Sequence, residues 1–263
     1  MGSATASLAA LIAGAAAALA LGACSAKPSA TAQHADAAGS EAAYLAPPSV
    51  DSVRVAAGSV VLAGAAPPGS RVRIATPAGQ ASFATVDAGG RWTMALLPAA
   101  DARLFGLSAA AGTRVTQAQG YLLVTPGGQA ALLRAGAGAL RIDRPRQPGL
   151  RAIDFDRGGG LMVSASVAPG ATVILRVDGH DAAEGRANAD GDYEASLGYP
   201  VPIRPGAHPV QVSGDGFADQ VVVRNTPAQP LAAGPLRSQL TSAGLRIDWM
   251  TPGGGVQSTL LVH

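Results

Sequence analysis

Through most of the chain apolar residues recur at every second position in short runs separated by Gly, Pro, Asn and Asp. In Arg71-Val-Arg-Ile74, Val72 and Ile74 alternate with Arg71 and Arg73, and after Gly90 the residues Trp92, Met94 and Leu96 share one face. A period of two places one face against a core and the other in water. Ala66-Pro-Pro-Gly69 and Asp87-Ala-Gly-Gly90 are turns, since Pro presets φ and Gly accepts positive φ. The same pattern predicts strands at Val53 to Val55, Val60 to Leu62, Phe105 to Ala110, Thr113 to Val124 and Gln129 to Leu133, with a helical turn at Ala99 to Arg103. Later strands are expected at Ile153 to Phe155, Leu161 to Val167, Thr172 to Val177, His180 to Ala187, Asp192 to Leu197, Pro205 to Val212, Gln220 to Val223, Leu245 to Trp249 and Val256 to Val262.

The pattern occurs twice. Pro68-Gly69 through Gly90-Arg91-Trp92 returns as Pro169-Gly170 through Gly191-Asp192-Tyr193, with an offset of 101 at the turn (170 − 69) and at the aromatic (193 − 92). A duplicated domain core follows, and Trp92, Phe155 and Tyr193 fall on its buried side. The turn Thr125-Pro-Gly-Gly128 returns at Thr251 with an offset of 126 (251 − 125), so the second copy holds about 25 extra residues (126 − 101) before its closing hairpin. Tyr199 to Pro205 and Thr226 to Gly234 are Pro-rich enough to hold them. The arrangement resembles tandem bacterial Ig-like domains and the carboxypeptidase-regulatory-type β-sandwiches. That resemblance implies an all-β fold of two Ig-like antiparallel sandwiches, over residues 50–142 and 151–263, joined by a stiff connector at 143–150. The family has no shared catalytic residues to carry over.

Upstream the pattern changes. Leu8 to Ala23 is an unbroken apolar run of signal-peptide length, too short to span a bilayer, and it ends in Leu21-Gly22-Ala23-Cys24. This resembles the lipobox of bacterial lipoproteins: residues 1–23 would be removed and Cys24, the single cysteine, lipidated. Met1 to Ser7 departs from the usual pattern in carrying no Lys or Arg. Residues 24–49 read as the lipidated cysteine and a flexible linker, because their Ala, Ser, Thr, Gln and Pro cannot bury enough surface to fold. Ser25 after the cysteine implies sorting to the outer membrane, facing the periplasm.

Composition narrows the chemistry. With 4% aromatic residues, 34 Gly, 19 Pro and a formal net charge of +2, the chain suits many short strands and gives no reason to expect nucleic acid. There is no Gly-x-Ser-x-Gly elbow and no Cys nucleophile, and no two of the four histidines sit at metal-ligand spacing. No cofactor is expected. Asp190, Asp192 and Glu194 alternate with Asn188 and are the candidates for an oxygen-ligated cation, although their counterparts in the first copy are Gly89, Arg91 and Thr93, only Asn188 matching an acid, Asp87, and a solvated polar turn explains them as well. Asp154 and Asp156 flank an inward Phe155 and should face solvent. Arg144 and Arg146, among the arginines gathered at the junction, are candidates for contact with an anionic envelope surface, against the alternative of an internally paired linker. Trp249 beside the closing turn is the remaining candidate contact. The functional expectation is a lipid-anchored, non-enzymatic envelope protein displaying two Ig-like modules to an unknown protein or polymer. The alternatives are an enzyme or accessory acting on cell-wall glycan through acids of the second copy, and a calcium-stabilised adhesion module.

Overall fold

The computed structural model describes residues 45–198 and 202–263. The expected signal peptide, Cys24 and the expected linker up to residue 44 lie outside the described residues, as do residues 199–201. The first copy contains β1 (Ser52–Ala56), β2 (Ser59–Ala65), β3 (Arg71–Ala75), β4 (Ala81–Thr85), β5 (Arg91–Leu96), β6 (Arg103–Ala111), β7 (Arg114–Val124), β8 (Ala130–Leu133) and β9 (Leu140–Arg141). The second contains β10 (Gly149–Phe155), β11 (Leu161–Ser166), β12 (Thr172–Val177), β13 (His180–Arg186), β14 (Asp192–Leu197), β15 (Gly206–Gly214), β16 (Phe217–Asn225), β17 (Leu236–Thr241), β18 (Gly244–Met250) and β19 (Val256–Val262). The expected helical turn at Ala99 to Arg103 is absent: residues 97–102 are irregular and Arg103 opens β6.

All pairings among these strands are antiparallel, in four sheets ordered β1-β2-β5, β4-β3-β6-β7-β8-β9, β14-β11-β10-β19-β18-β17 and β13-β12-β15-β16. Three strands (β1, β2, β5) facing four (β4, β3, β6, β7) make one seven-stranded Ig-like sandwich. The set β10, β11, β14 facing β13, β12, β15, β16 makes the other. The duplicated Gly90 and Gly191 hold φ of 77° and 79°, with carbonyls of Ala66 and Val167 crowding the place a Cβ would take. The backbone itself therefore requires glycine at this point of both copies.

The remaining strands are additions. β8 and β9 widen the first copy's four-stranded sheet, and β19-β18-β17 widen the second copy's three-stranded sheet at β10. Each sandwich closes on its own core. Leu62, Trp92 and Met94 meet Ile74, Phe105 and Leu122 in the first, while Ile153, Phe155 and Tyr193 meet Val173, Leu175 and Val212 in the second.

A third core joins the two widened sheets by their outer faces. Leu104, Leu123, Ala131, Leu133 and Ala139 of the first copy pack on Ala152, Leu245, Ile247, Trp249 and Leu261 of the second. The four sheets are thus stacked in layers, and β10 and β19 are buried on both faces. Leu45–His263 is accordingly one unit rather than two beads on a connector. The junction takes part in it, since Ile142 donates its N–H to the Ala130 carbonyl at 2.9 Å and packs against the first core.

The 25-residue excess of the second copy has a structural meaning. In the first copy the single strand β7 pairs with β6 on one side from Arg114 to Val124, across a bulge, and with β8 on its other side through Tyr121–Val124. In the second copy these duties fall to two strands in different sheets, β16 beside β15 and β18 beside β19, with β17 between them in sequence.

Candidate functional site

The outer face of the β14-β11-β10-β19-β18-β17 sheet is divided. Over β10, β18 and β19 it is mostly apolar, with Asp154 and Thr259 buried among the apolar residues, and forms the third core. Over β11 and β14 alternation places Val163, Ala165 and Tyr193 inward, so Ser164, Ser166, Asp192 and Glu194 point outward. The register sets Ser164 directly opposite Glu194 and Ser166 opposite Asp192. Above this polar half lie Leu140 and Arg141 of β9, the junction Ile142 to Arg146, and the entering segment Pro47 to Asp51. Together they enclose a cleft of about 680 Å³ at the seam between the sandwiches.

The charges in the cleft are mostly engaged in holding it together. Arg134 pairs with Glu194 across the seam and donates through Nε to the Gly138 carbonyl at 2.6 Å. Arg146 pairs with Asp192 at 2.8 Å and donates to the backbone carbonyl of Asp190. Arg141, nearly buried, is held by Asp143 at 3.0 Å and donates to the Val262 carbonyl. Arg151 donates to the carbonyls of Arg144 and Pro145, both at 3.0 Å, which folds the junction over it. Burial, together with the charge of Arg141, holds its guanidinium below the ordinary value. Arg144 is exposed at the rim, and its side chain has no hydrogen bond or ion pair among the described residues.

The sequence candidates are thereby partly brought together. Arg144, Arg146, Asp192 and Glu194 share the cleft. As cation ligands the acids are poorly placed, since the carboxylates of Asp192 and Glu194 are already engaged by guanidinium groups and Asp190 offers the cleft only its carbonyl. Among the described residues no group of three His, Cys, Asp or Glu side chains converges on one point. Trp249 is not a surface contact. It is fully buried in the third core, its indole N–H donating to Thr259 at 3.1 Å and its ring edge-on to Tyr121 at 6.2 Å.

Two buried acids were not visible in the alternation. Asp154, expected in water, is 3% exposed on the outer face of β10, whereas Asp156 is exposed as expected. Its carboxylate accepts from the Ala139 N–H at 2.8 Å, from Gln257 at 3.0 Å and from the Thr259 hydroxyl. Burial pushes its pKa up to about 6, against the opposing pull of those donors. Asp248 on β18 is also buried, bound by Arg237 at 2.5 Å, Ser258 at 2.7 Å and Arg246 at 2.9 Å. Burial alone would raise its pKa, but these hydrogen bonds outweigh it and hold the carboxyl below its ordinary value. Arg246 also stacks 5.0 Å from the Phe155 ring, on the wall of a second cavity of about 390 Å³ beside β16.

No protein-family model matches the chain. Nor does any curated protein. Among solved structures, the chain is similar to a biofilm associated protein, BSP domain, at 14% identity and a TM-score of 0.24, over 70% of this chain and 30% of that one. It is also similar to the central fibronectin-III array of RIM-binding protein, at 10% identity and a TM-score of 0.25, over 81% of this chain and 89% of the other. The fold assignment rests on the strand order and layering described above.

Proposed function

We propose that the protein is a lipid-anchored, non-enzymatic component of the bacterial envelope. A flexible linker following Cys24 would hold a stiff, four-layered β body off the membrane, with the outer membrane and its periplasmic face as the site of display. The observation that carries this reading is the join between Leu21-Gly22-Ala23-Cys24 and the body, with about 20 linker residues between the cysteine and Leu45. One acyl chain gives marginal anchoring and two or more give stable anchoring, at about 0.8 kcal/mol per buried CH₂. The body suits a structural or binding module. Its third core suppresses hinge motion between the sandwiches, and the conspicuous polar groups of the seam are committed to cross-links that stiffen it. Fractionation tests the anchor: the native chain should partition with membranes and incorporate labelled palmitate, and Cys24→Ala should do neither. A Cys24→Ala protein that still fractionates with membranes would refute the anchoring.

A further inference from the structure

We propose that the seam cleft binds the free carboxylate end of a peptide, with Arg144 as the anchoring cation. The inference rests on the binding-module reading but not on the lipid anchor. Three observations lead to it. The cleft, at about 680 Å³, lies within the range of about 300–1,000 Å³ typical of small-ligand sites. Its walls combine apolar surface from Pro48, Leu132 and Ile142 with the polar residues Gln119 and Ser166, and the hydroxyl of the lining residue Ser164, buried against Gly138, has no hydrogen-bond partner. A peptide, with alternating amides and small side chains, matches such a mixed lining.

The balance of charge then selects the group. The charged groups that line the cleft and their ion-pair partners are six arginines, 91, 134, 141, 144, 146 and 151, and four acids, Asp51, Asp143, Asp192 and Glu194, which leaves two positive charges without a carboxylate. Of the arginines, 141 and 146 are held by carboxylates, and 151 is bound to backbone carbonyls and lacks a counter-ion of its own. The Arg144 side chain has none of these attachments among the described residues and sits over the same junction, so an incoming anion meets one free guanidinium with a second behind it. The planar fork of arginine matches a carboxylate through two parallel N–H···O bonds. Because Arg151 is already engaged with two backbone carbonyls, only the Arg144 fork is free to close on an anion, which suits the single charge of a carboxylate better than the double charge of a phosphate monoester or of inorganic phosphate.

The test is calorimetric titration of the purified full chain in detergent with N-acetyl-trialanine, its C-terminal amide and inorganic phosphate. The acid should bind saturably at millimolar concentration or below, more weakly as salt rises, and the amide at least about tenfold more weakly, a loss of about 1.4 kcal/mol. Arg144→Glu should abolish binding, with its circular dichroism unchanged because the side chain is exposed; Arg144→Gln should weaken it by a similar factor to the amide. Equal binding of acid and amide, an Arg144→Glu chain that binds as the native one does, phosphate binding more tightly than the tripeptide, or no saturable binding of the acid would each overturn the inference. The anchoring test is independent, since a Cys24→Ala chain should bind the tripeptide unchanged.

Discussion

Asp154 gives the sharpest quantitative expectation. Its carboxyl lies in the sheet that separates two cores and links the copies by accepting the Ala139 N–H. With a folded pKa of about 6 against an ordinary 3.8, the folded chain holds a proton between these values that the unfolded chain has released. Stability therefore falls as pH rises from about 4 through 6 and levels off above about 7. At 1.36 kcal/mol per unit, a shift of about two units corresponds to about 3 kcal/mol across that window. Asp248 works in the opposite direction and in a different range. Its lowered pKa contributes stability that is present above the ordinary carboxylate range and lost as pH falls through its depressed value, so it does not mask the Asp154 slope between pH 4 and 7.

Replacement by Asn isolates this effect. Asp154→Asn keeps an acceptor for the Ala139 N–H and, with the Gln257 amide turned and the Thr259 hydroxyl accepting instead of donating, keeps its other partners, but it carries no charge. Urea unfolding of native and variant chains at closely spaced pH values, followed by far-ultraviolet circular dichroism, gives the difference directly. Relative to the native protein, the variant should gain about 3 kcal/mol as pH rises from about 4 to 7. A difference that stays flat, or that moves in favour of the native chain as pH rises, would show that the three donors compensate the buried charge fully and would refute the desolvation argument.

The other expectations concern the seam. Gly138 leaves no room for a side chain, because a Cβ would stand 2.2 Å from the Ser164 hydroxyl oxygen; Gly138→Ala should cost about 1–3 kcal/mol in chemical denaturation, and Ser164→Gly in the same chain should restore most of it. The two tryptophans report on different cores, Trp92 on the first sandwich and Trp249 on the seam. Singly replaced Trp→Phe chains should therefore show coincident fluorescence midpoints if the third core makes the body cooperative, and earlier loss of the Trp249 signal would contradict it. Truncating Trp249 to Ala should cost about 3–5 kcal/mol, measured in the same denaturation, because the side chain is fully buried.

What the sequence made legible follows from how local its information is. Alternation and turn residues located nearly every strand, and the 101-residue offset identified Trp92 and Tyr193 as core, because both signals depend on neighbours a few positions away or on the same position in the other copy. Alternation also presumes one wet face. In β10, Ile153 and Phe155 face one core while Ala152 and Asp154 face another, so the rule that sent Asp154 to solvent failed where a sheet is covered twice. The sequence carried a trace of this: Leu261 between Leu260 and Val262, and Ala152 beside Ile153, put apolar residues on both faces of β19 and β10, which is more than a single sandwich requires.

The same covering explains the site. Only one of the duplicated sheets was widened at β10, and only one at β7, so the stacked layers overlap along part of their width. Over that overlap the surfaces are mostly apolar and form the third core. Beyond it, β11 and β14 keep the polar outer face of a free sandwich but now lie beneath the junction, and polar residues that would face bulk water in an isolated module face a cleft instead. Arg91, Arg134 and Arg146 neutralise Asp51, Glu194 and Asp192, and Arg141 pairs with Asp143, whereas Arg144 is left over. The unmatched residues of the second copy act indirectly: they build the edge that docks the two copies, and the docking creates the cleft from residues the duplication already supplied.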